Sequence, residues 1–129
     1  MALNHAFVFD NTYPVPVASS VLGGDIVKVG TLLGVAQFPP TQGEIAGAAG
    51  LKTTVYLNGI HRFNAIAGAT GVFTVGQKVY VATASVAAGA GTKAVTNDAT
   101  GGTYIGVAVE AKATGAGSVW VLINYPEGA

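Results

Sequence analysis

Cysteine is absent from the 129 residues, so no disulfide framework, thiolate nucleophile or cysteine-based zinc site is available. Charge is scarce as well. Asp, Glu, Lys and Arg make up 9% of the chain and the two signs cancel, where soluble domains usually carry about 25%. Lys28, Lys52, Arg62, Lys78, Lys93 and Lys112 stand singly, not in the basic face that releases counterions from a polyanion, so no nucleic-acid partner is expected. They read as solvated groups on strand faces and loops. No uninterrupted apolar run approaches the roughly 20 residues that span a bilayer, and no membrane partner is expected. The first residues, MALNHAFVFDNTYP, lack the basic segment of a secretory signal and are broken by Asp10.

Chemistry-bearing residues are equally sparse. His5 and His61 are the only imidazoles, and neither has an acid at ligand spacing. Asp10, Asp25, Glu44, Asp98, Glu110 and Glu127 fall in separate segments, which recommends no pair of carboxylates for acid–base work. Ser19, Ser20, Ser85 and Ser118 lie in no G-x-S-x-G elbow. The expectation is a protein without catalysis, metal or cofactor.

Small apolar residues and glycine fill the space that charge leaves; half the chain is hydrophobic and 19 residues are Gly. Two glycine stretches invite a nucleotide reading. Gly89-Ala90-Gly91-Thr92-Lys93-Ala94 fits G-x-G-x-x-A, but such a loop works only when a helix N-terminus follows. Here Val95-Thr96-Asn97-Asp98-Ala99-Thr100-Gly101-Gly102 follows, a run of turn formers and β-branched residues. Gly71 to Lys78 approaches a phosphate loop, yet its lysine comes one residue late and Val79 stands where Ser or Thr must hold magnesium. Both stretches read as turns in a β protein. A neutral, apolar surface also invites association, because solubility leans on charge.

Strand signals recur along the chain and no window carries the helical spacing of apolar residues. Residues 25–29 and 32–36 form two short strands about Gly30-Thr31. Residues 53–57 and 60–66, joined by Asn58-Gly59, read as the clearest hairpin. Residues 77–83 alternate, residues 87–102 read as a long connection, and 103–109 and 118–124 are the last strands. Trp120 in the last strand reads first as core and second as interface. The sum is an all-β fold, a small barrel or sandwich of seven or eight short strands. Residues 1–22 read as an extended N-terminal arm, 23–125 as a single β domain and 126–129 as a tail. Gly24-Asp25-Ile26-Val27-Lys28-Val29 also echoes Gly76-Gln77-Lys78-Val79-Tyr80-Val81, and each is followed by Gly-Val-Ala, at 34–36 and 106–108. Two pseudo-equivalent hairpins would produce this pattern.

These same segments, Gly24-Asp25-x-Val27, Leu33-Gly34-Val35-Ala36, Gly76-Gln77-Lys78-Val79-Tyr80 and Tyr104 to Ala111, resemble a family of small tailed-phage capsid decoration or cement proteins, from about residue 18 to 125. The resemblance implies a compact β domain on the outer surface of a phage head built from an HK97-type major capsid protein. It implies a structural role in the virion; apart from the resemblance, the alternatives are a tail or baseplate module, or a small carbohydrate-binding or hydrolytic domain. For the last of these, an exposed Tyr56, Tyr80 or Trp120 near Asp or Asn would be the mark. Self-association as a homotrimer, or alternatively a dimer, is expected, since symmetry multiplies weak contacts. The segments at 1–17 and 37–51 lie outside the resemblance. On physical grounds, Phe7, Phe9, Tyr13, Pro14, Pro16 and Phe38 are the expected contacts to the capsid or to a neighbouring copy: they gather rings and apolar surface where proline forbids helix and discourages a central strand.

Overall fold

Strands in this chain are short because glycine, proline and the Asn58-Gly59 pair interrupt the apolar runs. A computed structural model describes residues 12–37, 41–42, 51–66, 71–114 and 117–127. In chain order they form β1 (Thr12–Pro16), β2 (Ile26–Val29), β3 (Leu32–Ala36), β4 (Thr41–Gln42), β5 (Leu51–Tyr56), β6 (Ile60–Ala65) and β7 (Lys78–Ala82). A 3-10 turn of helix (Thr83–Gly89) comes next, followed by β8 (Gly91–Thr92), β9 (Ala94–Val95), β10 (Gly102–Ala108) and β11 (Gly117–Ile123). The first sheet has the order β1-β5-β3-β2-β8 with β4 also pairing β5; the second has the order β7-β10-β11-β6-β9. The all-β expectation holds. The two sheets remain separate, so the architecture is a sandwich and not a closed barrel.

Two local expectations fail. Residues 53–57 and 60–66 do not pair with each other: β5 lies in the first sheet and β6 in the second. Asn58-Gly59 still turns the chain, with Gly59 at φ 101°, but the carbonyl of Gly59 accepts from Ile123 N–H at 3.1 Å, and β6 takes β11 as its partner instead. The turn is a corner between layers. The connection expected at 87–102 is also structured. Its residues 94–96 reach from the end of β6, just past which Ile66 N–H donates to Val95 O, across to β7, where Tyr80 and Thr96 exchange both backbone bonds at 2.9 Å.

The expected internal echo is present in the hydrogen bonds. Gly24 and Gly76 both have positive φ, 88° and 86°. Gly24 N–H donates to Ala36 O and Gly76 N–H to Ala108 O, each at 2.7 Å. Ala36 N–H returns a bond to Asp25 O and Ala108 N–H one to Gln77 O, at 2.8 and 2.9 Å. The side chains match too: Leu22 N–H donates to Asp25 Oδ2 at 2.9 Å and Thr74 N–H to Gln77 Oε1 at 3.0 Å. A turn, a strand, a return strand and a third strand (β2-β3-β5 and β7-β10-β11) are thus built twice, once in each sheet.

The main core lies between the sheets. Ile26, Leu33 and Val35 of the first meet Phe63, Val79, Val81, Val95, Ile105, Val119, Val121 and Ile123 of the second, with Phe73 and Val86 from connections. The first sheet has a second buried cluster of Val15, Val21, Val27, Ala36 and Val55. Burial on both faces explains why β3 reads as a continuous apolar run, LLGVA, and not as an alternation. In β10 the alternation is broken by a register shift between Tyr104 and Gly106, which leaves Ile105 and Gly106 both buried.

Where an arm is expected, the chain is strand from Thr12 to Pro16, paired with β5 through Tyr13↔Val55, Pro14↔Thr54 and Val15↔Thr53. Val15 is buried. The prolines fit because of direction. Thr54 turns its carbonyl away from β1, to Gln37 N–H at 2.9 Å, so the bonds between β1 and β5 belong to the Tyr13 and Val15 rows. The nitrogens of Pro14 and Pro16 therefore face outward, at the sheet edge, where no donor is needed.

Candidate interaction surface

Outward positions of the second sheet follow from parity. In β11, Val119, Val121 and Ile123 take the core, so Ser118 and Trp120 face out; in β6, Phe63 and Ala65 go in, so Ile60, Arg62 and Asn64 face out. Trp120 is 41% exposed and Ile60 54%, which overturns the core reading of the tryptophan. The register sets Trp120 opposite Arg62 and Ser118 opposite Asn64. The Arg62 guanidinium lies 5.6 Å from the indole centroid, a cation–π contact. An open cleft of about 470 Å³ runs beside it, lined by Arg62, Asn64 and Ser118 among others.

Further along the same face, β7, β10 and the chain after β11 form an apolar groove of about 390 Å³. Val75, Tyr104, Val107, Val109, Tyr125 and Pro126 line it. Tyr104 donates its hydroxyl to Tyr125 O at 2.6 Å and meets Tyr80 edge-on at 5.9 Å. Lys78 and Glu127 stand 3.7 Å apart across the mouth, both half exposed. Burial pushes the Tyr104 phenol above the ordinary tyrosine range, and the Glu127 carboxylate and the phenols of Tyr80 and Tyr125 push the same way. The folded state then keeps a proton that the unfolded chain has lost. That contribution to stability is complete below about pH 10 and is lost as pH rises through the raised value. Melting temperature is expected to fall more steeply above pH 10 in the parent than in Tyr104→Phe; parallel profiles would contradict this.

The expected contact residues are only partly placed. Phe7, Phe9 and Phe38 lie outside the described residues. Tyr13 and Pro14 are in β1, and exposed Pro16 ends that strand beside a cleft of about 380 Å³ shared with Val17, Lys28 and Gly89. Pro16 belongs to the first sheet and the Trp120 face to the second; the sequence reading held Trp120 only as a second-choice interface residue. The parity of Val119, Val121 and Ile123 was the signal for it.

The glycine stretch at 89–94 has a different use. Gly89, at φ 79°, ends the 3-10 turn, β8 pairs with β2, and β9 follows in place of a helix. Between them Lys93 donates to Asp25 Oδ1 at 2.7 Å. Asp25 is 8% exposed and Lys93 35%. Two residues that read as a scattered acid and a solvated cation thus join positions 68 apart in the chain. Among the described residues, no three acids or histidines gather as a metal site.

The described residues thus form a compact β-sandwich whose outer face carries exposed Ile60, Val75, Trp120 and Tyr125 among a few polar and charged side chains. The family model described as phage cement protein matches residues 10–123, and the chain belongs to that family. Searches of curated proteins and of solved structures return no match. Membership makes this a protein of the phage virion, associated with the capsid.

Proposed function

We propose that the protein is a non-enzymatic cement that binds the outer surface of an assembled head, between capsomers, and stabilises it by bridging neighbouring copies of an HK97-type major capsid protein. The family match over nearly the whole sandwich carries this reading. A ligand that binds only the assembled lattice stabilises it by RT ln(1 + [L]/Kd), and many copies add. Assembly as a homotrimer would multiply weak contacts through effective concentration. The anchor is the segment leading into β1, with Phe7 and Phe9, together with Tyr13, Pro14 and Pro16 of β1 itself and Phe38. Each buried ring could contribute about 1.5–3 kcal/mol.

Deletion of residues 2–11 tests the leading part of the anchor, Phe7 and Phe9, as its dominant contribution while leaving β1 in place. The truncated protein is expected to melt as the parent does and to lose most of its occupancy on heads, counted by quantitative gel analysis of purified particles. Parent-level occupancy by the truncated form would overturn the anchor. Because the chain brings few charges, and exposed pairs are screened beyond about 10 Å at 0.1 M salt, parent occupancy should also survive a rise to half-molar salt. Loss of most copies over that range would mean ionic contacts.

A further inference from the structure

We infer that the cleft between β6 and β11 is a binding site for a carboxylate-bearing saccharide, with Arg62 as its anion contact. Four observations converge there. The indole of Trp120, exposed on a regular strand, borders the cleft through Arg62, and the face that the guanidinium does not cover is an apolar plane of the kind on which the C–H face of a sugar ring rests. The guanidinium of Arg62 is held against that plane, so little of its freedom remains to be lost on binding. Among the described residues Arg62 forms no ion pair, and the Glu110 carboxylate accepts from the backbone N–H of Trp120 at 3.3 Å. The cleft wall continues with the amide of Asn64 and the hydroxyl of Ser118, both exposed and cross-strand neighbours.

This set sorts ligands by chemistry. A planar guanidinium takes a carboxylate by two parallel N–H bonds, which a neutral sugar cannot offer. An amide and a hydroxyl beside it serve ring hydroxyls as both donor and acceptor, which a simple anion does not use. The aromatic plane asks for an apolar ring face. A hexuronic or sialic type of sugar satisfies all three, and the cleft, at about 470 Å³, falls within the ordinary range of ligand sites. The site does not depend on how the protein meets the capsid, since all of its parts belong to one chain.

Trp120 is the only tryptophan and its ring contacts Arg62, so intrinsic fluorescence of the isolated protein reports on binding at that guanidinium. Titration with trigalacturonate is expected to give a saturable change with a dissociation constant near the millimolar range. A neutral galactose oligomer should bind at least tenfold more weakly. Arg62→Gln should weaken the acidic oligomer tenfold or more. Asn64→Asp, which sets a carboxylate in the cleft without touching the indole, should do the same. Both replacements are at exposed positions and should melt within a few degrees of the parent. A flat titration with trigalacturonate overturns the site, as does equal binding of the neutral oligomer. Acetate or inorganic phosphate giving the same response at equal concentration would reduce it to a general anion contact and overturn the saccharide assignment. If Arg62→Gln and Asn64→Asp both leave the affinity unchanged, the cleft is not the place of binding.

Discussion

Gly106→Ala is expected to destabilise the fold by about 3 kcal/mol or more, at the upper end of what single replacements do. A methyl group at Gly106 would stand 2.0 Å from the carbonyl oxygen of Leu122 and 2.9 Å from Cα of Ile123. These are backbone atoms of β11, the strand paired with β10 at this point through Gly106↔Ile123. A side chain could rotate aside; a paired backbone cannot yield without opening the centre of the second sheet. Its counterpart in the other half, Gly34, meets the Tyr56 carbonyl oxygen at 2.7 Å and Val55 Cγ2 at 2.7 Å. Gly34→Ala should therefore cost less, about 1–3 kcal/mol. Urea unfolding of both variants gives the comparison. A neutral Gly106→Ala, or a Gly34→Ala that costs more, would contradict the close approach of β10 to β11.

Lys93→Ala is expected to be the more damaging way to break the pair between Asp25 and Lys93. It leaves a carboxylate only 8% exposed with the Leu22 N–H as its remaining described donor. Removing one member of a fully buried pair costs about 3–5 kcal/mol. Lys93 is itself 35% exposed, so water reaches the vacated place and the figure falls to about 2 kcal/mol. Asp25→Asn is the milder change, about 1 kcal/mol, because the amide oxygen can still accept from Leu22 N–H and Lys93 can turn to solvent. Thermal or denaturant melting of the two variants should rank them in that order. The reverse order would show that Lys93 contributes through its methylene stem and not through its charge.

The strands were legible wherever one face is buried and the other is not. Residues 78–82 alternate Lys, Val, Tyr, Val, Ala, and the burial of Val79 and Val81 follows. The echo between Gly24-Asp25 and Gly76-Gln77 was legible too, because a positive φ and a capping side chain both leave marks in the residue types. Sheet membership was not. Asn58-Gly59 specifies a tight turn, but whether the strands it joins pair or part is decided by β11, some sixty residues later in the chain. The pairing of Asp25 with Lys93 was hidden for the same reason: spacing along the chain carries no record of a contact made through β8 and β2. Trp120 was misread because its residue type favours the interior while its parity in β11 forbids it, and parity prevailed. Phe7, Phe9 and Phe38 lie in segments without alternation, so only their composition could speak for them.

The outward nitrogens of Pro14 and Pro16 bear on how copies of this protein can live side by side. A bare sheet edge is a template, and at high local density it recruits the next copy into a growing ribbon. On β1 two successive outward positions carry no donor, so the template is defective over most of its five residues. Copies packed closely, whether as single chains or as trimers, would thus find no continuous ladder of donors on β1 along which to zip into filaments.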